Sequence, residues 1–291
     1  MNSTHNKELL PSKKIAGIVL KPNAKYLQEI YPSIKEKFDK FGISVVLEES
    51  SAKMIEEKEY LDFETLCRKS DFLVAIGGDG TLISVARRSF IFNKAVLGIN
   101  LGTLGFLTSV LPEELEEFLS DFTNDTYRVD ERMVINATIG LRKSVAFNDI
   151  VITRKSVANM VNIDAFIDGK KFNSYYGDGL VISTPIGSTA YNLSAGGPLV
   201  HPLTEAFIVT PISAHSLTQR PMVLPSHFEI ELSTPDKEGA MIIIDGQDIY
   251  EIDQNETIKV QIPTAKAKLI RTQDRDYFQV LNQKLNWGMS Q

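Results

Sequence analysis

The sequence predicts an α/β N-terminal domain with a parallel, Rossmann-like sheet, followed by a β-rich, mostly antiparallel C-terminal domain. Three observations point there. Short apolar strands alternate with helical periodicities through about residue 125. Beyond that point the apolar residues recur every second position, as strands with one wet face do. Glycine-rich turns stand where early strands end, the place at which open α/β sheets bind ligands.

Ile15 to Leu20 reads as a strand, and Leu27, Ile30, Tyr31, Ile34, Phe38 and Phe41 then recur at helical spacing until Gly42 stops them. Ile43 to Leu47 reads as a second strand. A charged segment follows, and then a short helix over Leu61 to Cys67. Asp71 to Ile76 is continuous in apolar character, as a strand covered on both faces requires. Leu82 to Phe92 is expected to be helical, Ala95 to Ile99 a strand, and Leu115, Phe118, Leu119 and Phe122 the face of another helix. Then Met133, Ile135, Ala137 and Ile139 alternate, as do Val161, Ile163, Ala165 and Ile167, with Asp168-Gly169 turning into Lys170 to Tyr176 as a hairpin. Ile230 and Leu232, Ala240 to Ile244, and Ile258 to Ile262 continue the strand signal; Thr189 to Ser194 reads as a helical turn. Tyr277, Phe278, Leu281 and Leu285 mark a helix returning to the first domain. The expected division is therefore 1–125, rejoined by 266–291, and 126–265, with a cleft at the junction.

At 43% hydrophobic and 23% charged residues the chain has a soluble globular composition. A net charge of -6 argues against a nucleic-acid coat. The single cysteine, Cys67, excludes an internal disulfide framework and fits a cytoplasmic location. Glycines interrupt the apolar run before Leu82, so no membrane span is expected. Met1 to Lys14 is polar, without an apolar signal core, and is expected to fray.

Two segments carry chemistry. Gly77-Gly78-Asp79-Gly80-Thr81 lies after a buried strand and before a helix, where bare amides and the positive helix end can cradle phosphate. No Gly-Lys-Ser/Thr follows, so it is not a Walker loop. Asp79 beside phosphates suits a general base or a magnesium anchor; a helix cap is the bland alternative. Asn100 to Leu107 repeats the arrangement after the next strand, with Phe106 either walling the cleft or lying in the core. The second segment runs from Asp178-Gly179-Leu180 through Ser183-Thr184-Pro185, Gly187-Ser188-Thr189-Ala190-Tyr191 and Ser194-Ala195-Gly196-Gly197-Pro198. Its small hydroxyls suit a base edge or a carboxamide, and Tyr191 can stack on a ring. Asn148-Asp149 interrupts a strand-like run and either faces solvent, forms a bulge or binds ribose hydroxyls. Asp245-Gly246-Gln247 reads first as a hairpin turn and second as part of the cleft. His5, His201, His215 and His227 lack zinc-ligand spacing. Arg132, Arg154 and Arg220 either meet phosphate charge or, as the default reading, are salt-bridged at the surface.

Together these segments resemble the NAD kinase family, over nearly the whole chain from Ile15 to Gly288. Gly77 to Thr81 is shared with diacylglycerol and sphingosine lipid kinases; the long second segment is the discriminator. Asn148-Asp149 is similar to the family's Asn-Glu/Asp motif. The resemblance implies transfer of the ATP γ-phosphate to the 2′-hydroxyl of the adenosine ribose of NAD, with Asp79 as base. It implies that Gly77, Gly78, Gly80 and Thr81 hold phosphate. It assigns to NAD the residues Asp79, Gly80, Phe106, Asn148, Asp149, Asp178, Thr189, Ala190, Tyr191, Ser194, Asp245 and Gln247. It implies a divalent ion, usually magnesium, held largely by nucleotide phosphates with no protein ligand assigned, and a homodimer or homotetramer. Ile186 stands where members often carry a hydroxyl, and Tyr176 where some carry arginine. The alternatives are a lipid kinase, which needs an acyl channel, and a non-catalytic NAD(P) sensor.

Overall fold

The computed structural model describes residues 14–102, 105–156, 158–273 and 276–285. The expected N-terminal fraying, Gly288 and two residues of the Asn100 to Leu107 segment, Thr103 and Leu104, lie outside them. By contact density the chain divides into two compact units. The first holds the residues up to Leu82, Lys94–Arg128 and those from Ile270; the second holds Ile83–Asn93 and Val129–Leu269.

The strands of the first unit belong to a seven-stranded sheet, whose last two members, Ala267–Arg271 and Arg128–Arg132, are each divided between the two units. Its strands run in the order Tyr60–Leu61, Ser44–Glu48, Ile15–Leu20, Phe72–Gly77, Ala95–Asn100, Ala267–Arg271, Arg128–Arg132. The first five are mutually parallel. Connections go one way from Ile15–Leu20 and the other way from Phe72–Gly77, so the order reverses between these two strands. Their carboxyl ends are the topological switch point, where such sheets take ligands, and Gly77 lies there. The helix Leu27–Lys40 buries Leu27, Tyr31, Ile34 and Phe38 at the spacing read from the sequence. Helix Leu115–Thr123 buries Leu115, Phe118, Leu119 and Phe122. Both helices join the sheet in one apolar cluster with Ile18, Val74, Leu97 and Ile270.

Two local expectations need correction. The charged segment after Glu48 is helical over Glu49–Ile55, because the Glu48 carboxylate caps it by accepting from the Ser51 amide at 3.1 Å. Glutamate is not among the usual capping residues, which is why the start is hard to read. The helix expected from Leu82 begins earlier, at Asp79, and ends at Ser89 before a 3-10 turn, Phe90–Phe92. Asp79 is thus a first-turn helical residue rather than a loop residue.

The second unit contains two six-stranded sheets. Every strand pairing within them is antiparallel. Alternate residues of both sheets meet in one core that includes Ile135, Ile163, Leu232 and Val260 from one and Ile152, Leu180, Phe207 and Ile242 from the other. The Asp168-Gly169 hairpin is as expected, with both residues at positive φ. The run Val145 to Ile152 is not one strand with a polar interruption. It is two strands in different sheets, Arg142–Ala146 and Asp149–Thr153, and Phe147-Asn148 carries the chain from one to the other. Among the described residues no helix is long and apolar enough to cross a membrane.

Candidate active site

In the first unit the strand Phe72–Gly77 delivers its last residue to the switch point and the helix Asp79–Ser89 starts almost at once. The first amides of a helix have no intrahelical acceptor and lie at its positive end. A Cβ added at Gly78 or Gly80 would meet nothing within 4 Å, so both glycines border open space. Thr81 is instead buried, its hydroxyl packed against Gly77.

Asp79 does not cap its own helix. Its Oδ2 accepts the Phe106 amide at 2.7 Å. Its Oδ1 accepts the amides of Leu107 at 3.2 Å and Thr108 at 2.8 Å, and the Thr108 hydroxyl at 3.0 Å. The Thr108 hydroxyl in turn accepts from Asn100 Nδ2 at 3.0 Å. The carboxylate is thereby fixed by a second loop, and Phe106 contributes its backbone as well as a half-buried ring. Sequence reading missed Thr108; a threonine after an apolar stretch carries no distinguishing signal.

This contact requires a glycine at 105. A Cβ there would stand 2.0 Å from Asp79 Oδ1. We expect Gly105→Ala to push the carboxylate aside and to lower stability by about 1–3 kcal/mol, as urea denaturation of the purified variant measures.

In the second unit the hairpin joining Ala240–Ile244 to Asp248–Ile252 turns through Asp245 and Gly246, at φ 50° and 64°. The turn reading is right and incomplete. The Asp245 side chain is fully buried and accepts three amides: Phe147 at 2.7 Å through Oδ2, Asn148 at 2.7 Å and Asp149 at 3.0 Å through Oδ1. It therefore pins the crossing between the two sheets. Arg87 reaches Asp245 Oδ2 at 3.7 Å, donates to the Ile244 carbonyl at 3.2 Å and pairs with Asp248. Gln247 is exposed. Arg87 was missed, since a lone arginine in a helix reads as a solvated face.

Asp149 is only 4% exposed. Burial raises its carboxyl from 3.8 to about 7, the neighbouring Asp245 charge adds to this, and the Tyr191 amide opposes it. Burial also raises Asp245, against the three amides and Arg87. A carboxyl raised in the folded state contributes stability fully below its unfolded value and loses it as pH rises through its folded value. The window is thus from about 4 to about 7. Asp149→Asn should be more stable than the parent at pH 8, with the difference shrinking as pH falls and vanishing only below about pH 4, as read from urea midpoints. A constant difference would sever Asp149 from this pH dependence.

The Ser183 to Pro198 segment is bound tightly to the same crossing. The Thr184 hydroxyl donates to the Phe147 carbonyl at 2.8 Å and accepts the Gly187 amide at 3.1 Å. A Cβ at Gly187 would fall 2.2 Å from the Asn148 carbonyl oxygen. Thr189 bonds the Ile186 carbonyl, and helix Tyr191–Ser194 follows Ala190. Tyr191 and Ser194 are exposed, while Thr189 and Ala190 are half-buried. Asn192, not singled out in the sequence, is wholly buried and bonds Ser188, Pro198 and Thr210. Asp178 lies between strands Lys170–Gly177 and Gly179–Ser183 and pairs with Arg154 at 3.0 Å. Arg154 has the ion pair expected of it; Arg132 is also paired, to Asp130 at 2.6 Å, but is buried rather than at the surface. Arg220 differs: its guanidinium donates to the Leu217 and Gln219 carbonyls.

The predicted residues thus fall into two groups. Gly77 to Thr81 and Phe106 gather in the first unit; Asn148, Asp149, Asp245, Thr189, Ala190 and Tyr191 gather in the second, with Asp178 at a strand junction of the same unit. Among the described residues no group of three or more His, Cys, Asp or Glu could hold a metal ion. Asp79 and Asp245 have both oxygens committed to amides.

Two family descriptions match the chain: the ATP-NAD kinase N-terminal domain over residues 16–127 and the ATP-NAD kinase C-terminal domain over 147–272. The chain belongs to the NAD kinase family. An NAD kinase of Sulfurimonas denitrificans is 46% identical over 279 residues, covering 94% of this chain and 98% of the relative. One from Wolinella succinogenes is 44% identical, covering 96% and 97%. Among solved structures, yeast NADH kinase complexed with NADH is similar with a TM-score of 0.82 at 25% identity, covering 96% of this chain and 89% of that one. An NAD kinase from Archaeoglobus fulgidus in complex with ATP gives a TM-score of 0.75 at 26% identity, covering 94% and 98%.

Proposed function

We propose that this kinase transfers the γ-phosphoryl group of ATP to the 2′-hydroxyl of the adenosine ribose of NAD, giving NADP. The observation that carries the reading is Asp79: a carboxylate fixed by three amides at the head of a helix whose flanking glycines border open space. An alcohol is a poor nucleophile at neutral pH, so a base must take its proton as the phosphoryl group arrives. A carboxylate offers about four lone-pair sites. Three donors crowd Asp79 Oδ1 and one meets Oδ2. Oδ2 retains the free lone pair and is the oxygen assigned to the ribose proton. The amides at Gly78 and Gly80 with the helix end receive phosphate. Asn148, Asp149, Asp178, Thr189, Ala190, Tyr191, Ser194, Asp245 and Gln247 are assigned to the dinucleotide.

A magnesium ion arriving with the nucleotide would neutralise phosphate charge, which needs few protein ligands. We further assign the chain to the cytoplasm, in line with its single cysteine, and to a homodimer or homotetramer, on the family resemblance alone. The match to the ATP-NAD kinase C-terminal domain over residues 147–272 favours a dinucleotide over a lipid acceptor, and the intact Asp79 favours catalysis over a sensor.

Purified protein incubated with NAD, ATP and magnesium should yield NADP, scored with an NADP-specific dehydrogenase. No NADP from folded protein, or phosphorylation of a diacylglycerol in micelles instead, would overturn the assignment. Replacing ATP by polyphosphate, and NAD by NADH, defines donor and acceptor range.

A further inference from the structure

We infer that Arg271 is a positioning residue for the phosphoryl transfer, acting through the 106–108 peptide units on the Asp79 carboxylate; this rests on Asp79 being the base. Arg271 ends the strand Ala267–Arg271 and is only 8% exposed. Its Nη1 donates to the Leu107 carbonyl and its Nη2 to the Phe106 carbonyl at 3.3 Å. The amides on the other side of this short stretch, from Phe106, Leu107 and Thr108, all donate to Asp79. The loop is therefore clamped between an anion on its N–H side and a cation on its carbonyl side. The same strand holds the loop's far end, where the Ser109 hydroxyl donates to the Ile270 carbonyl at 3.3 Å.

The physics favours arginine here. A peptide group is a dipole, and opposite charges at its two ends hold its orientation more firmly than either alone. A planar guanidinium can donate to two neighbouring carbonyls at once; a lysine ammonium presents a point charge without that fork. The loop passes Asp79 at Gly105, where there is no room for a Cβ, so a slight rotation of the peptides moves the carboxylate. Misplacing a reacting group by even an ångström costs much of the rate, whereas substrate affinity depends on other contacts. Arg271 thus sets where Asp79 Oδ2 points without touching substrate.

The test is a double-mutant cycle read by kcat and KM, with NADP formation as the assay. In the parent, Arg271→Gln should lower kcat by roughly 10- to 100-fold with the KM for NAD changed less than about threefold. In an Asp79→Asn background the same substitution should lower kcat no further, because the group it positions is already gone. Deuterium exchange should quicken in the peptide spanning 106–108 and not across the strands of the second unit. Arg271→Lys, which keeps the buried charge, should show the same pattern at smaller amplitude, and it serves as the readable variant if Arg271→Gln does not fold. An equal loss of kcat in both backgrounds, or unchanged exchange at 106–108, would overturn the inference. Normal kcat in Asp79→Asn alone would overturn the base assignment instead, so the two failures are distinguishable.

Discussion

Asp79→Asn is expected to lower turnover by about 10²–10⁴-fold, the range spanned by a positioned general base, with NAD affinity changed by no more than a few-fold. The substitution keeps the side chain's size but leaves one acceptor oxygen where two now receive the amides of Phe106, Leu107 and Thr108. The new NH₂ would face an amide donor, so the loop is also disturbed. The two effects separate by measurement. NAD titration and urea denaturation report the loop, while single-turnover formation of NADP reports the chemistry. Turnover comparable with the parent would remove Asp79 as the base, whatever the fate of the loop.

Asp245→Ala should be the most damaging single change to stability, costing about 3–5 kcal/mol, as removal of one member of a buried charged network does. Three amides that now meet its carboxylate would be left without that acceptor, and the barely exposed Arg87 would lose one of its two carboxylate neighbours. Asp245→Asn keeps one acceptor oxygen and should cost about 1–3 kcal/mol. Urea midpoints at pH 7 give both values. Near-parental stability of the alanine variant would mean that water replaces the carboxylate and that the sheet crossing holds itself in place.

Much of this was legible in the sequence, because periodicity is set by the neighbours each strand or helix covers. Leu27, Ile34 and Phe38 announce one helix face, and Val161, Ile163 and Ala165 one sheet face, before any coordinates are known. Glycine spacing located the Gly77 to Thr81 turn for the same reason: few other residues leave amides bare. What stayed hidden lies in contacts between residues distant in the chain. Nothing local to Asp79 says that its partners are at 106–108, or that Asp245 looks past its own hairpin to the amides of 147–149. The apolar residues on both sides of Asn148-Asp149 even argued for one interrupted strand, since a residue buried where two sheets meet is apolar in both. Buried polar groups such as Asn192 and Arg271 were unreadable because their partners are mostly backbone carbonyls, which every sequence supplies.

The place of Ala267–Arg271 inside the first sheet, between Ala95–Asn100 and Arg128–Arg132, bears on biosynthesis. The ribosome emits the glycine turn and its aspartate long before the strand that fills the gap in that sheet and braces the neighbouring loop. A nascent chain halted between the two would carry every residue assigned to the chemistry and still lack the brace. Assembly of the site therefore waits on that strand, and products cut short of it should be silent rather than partly active.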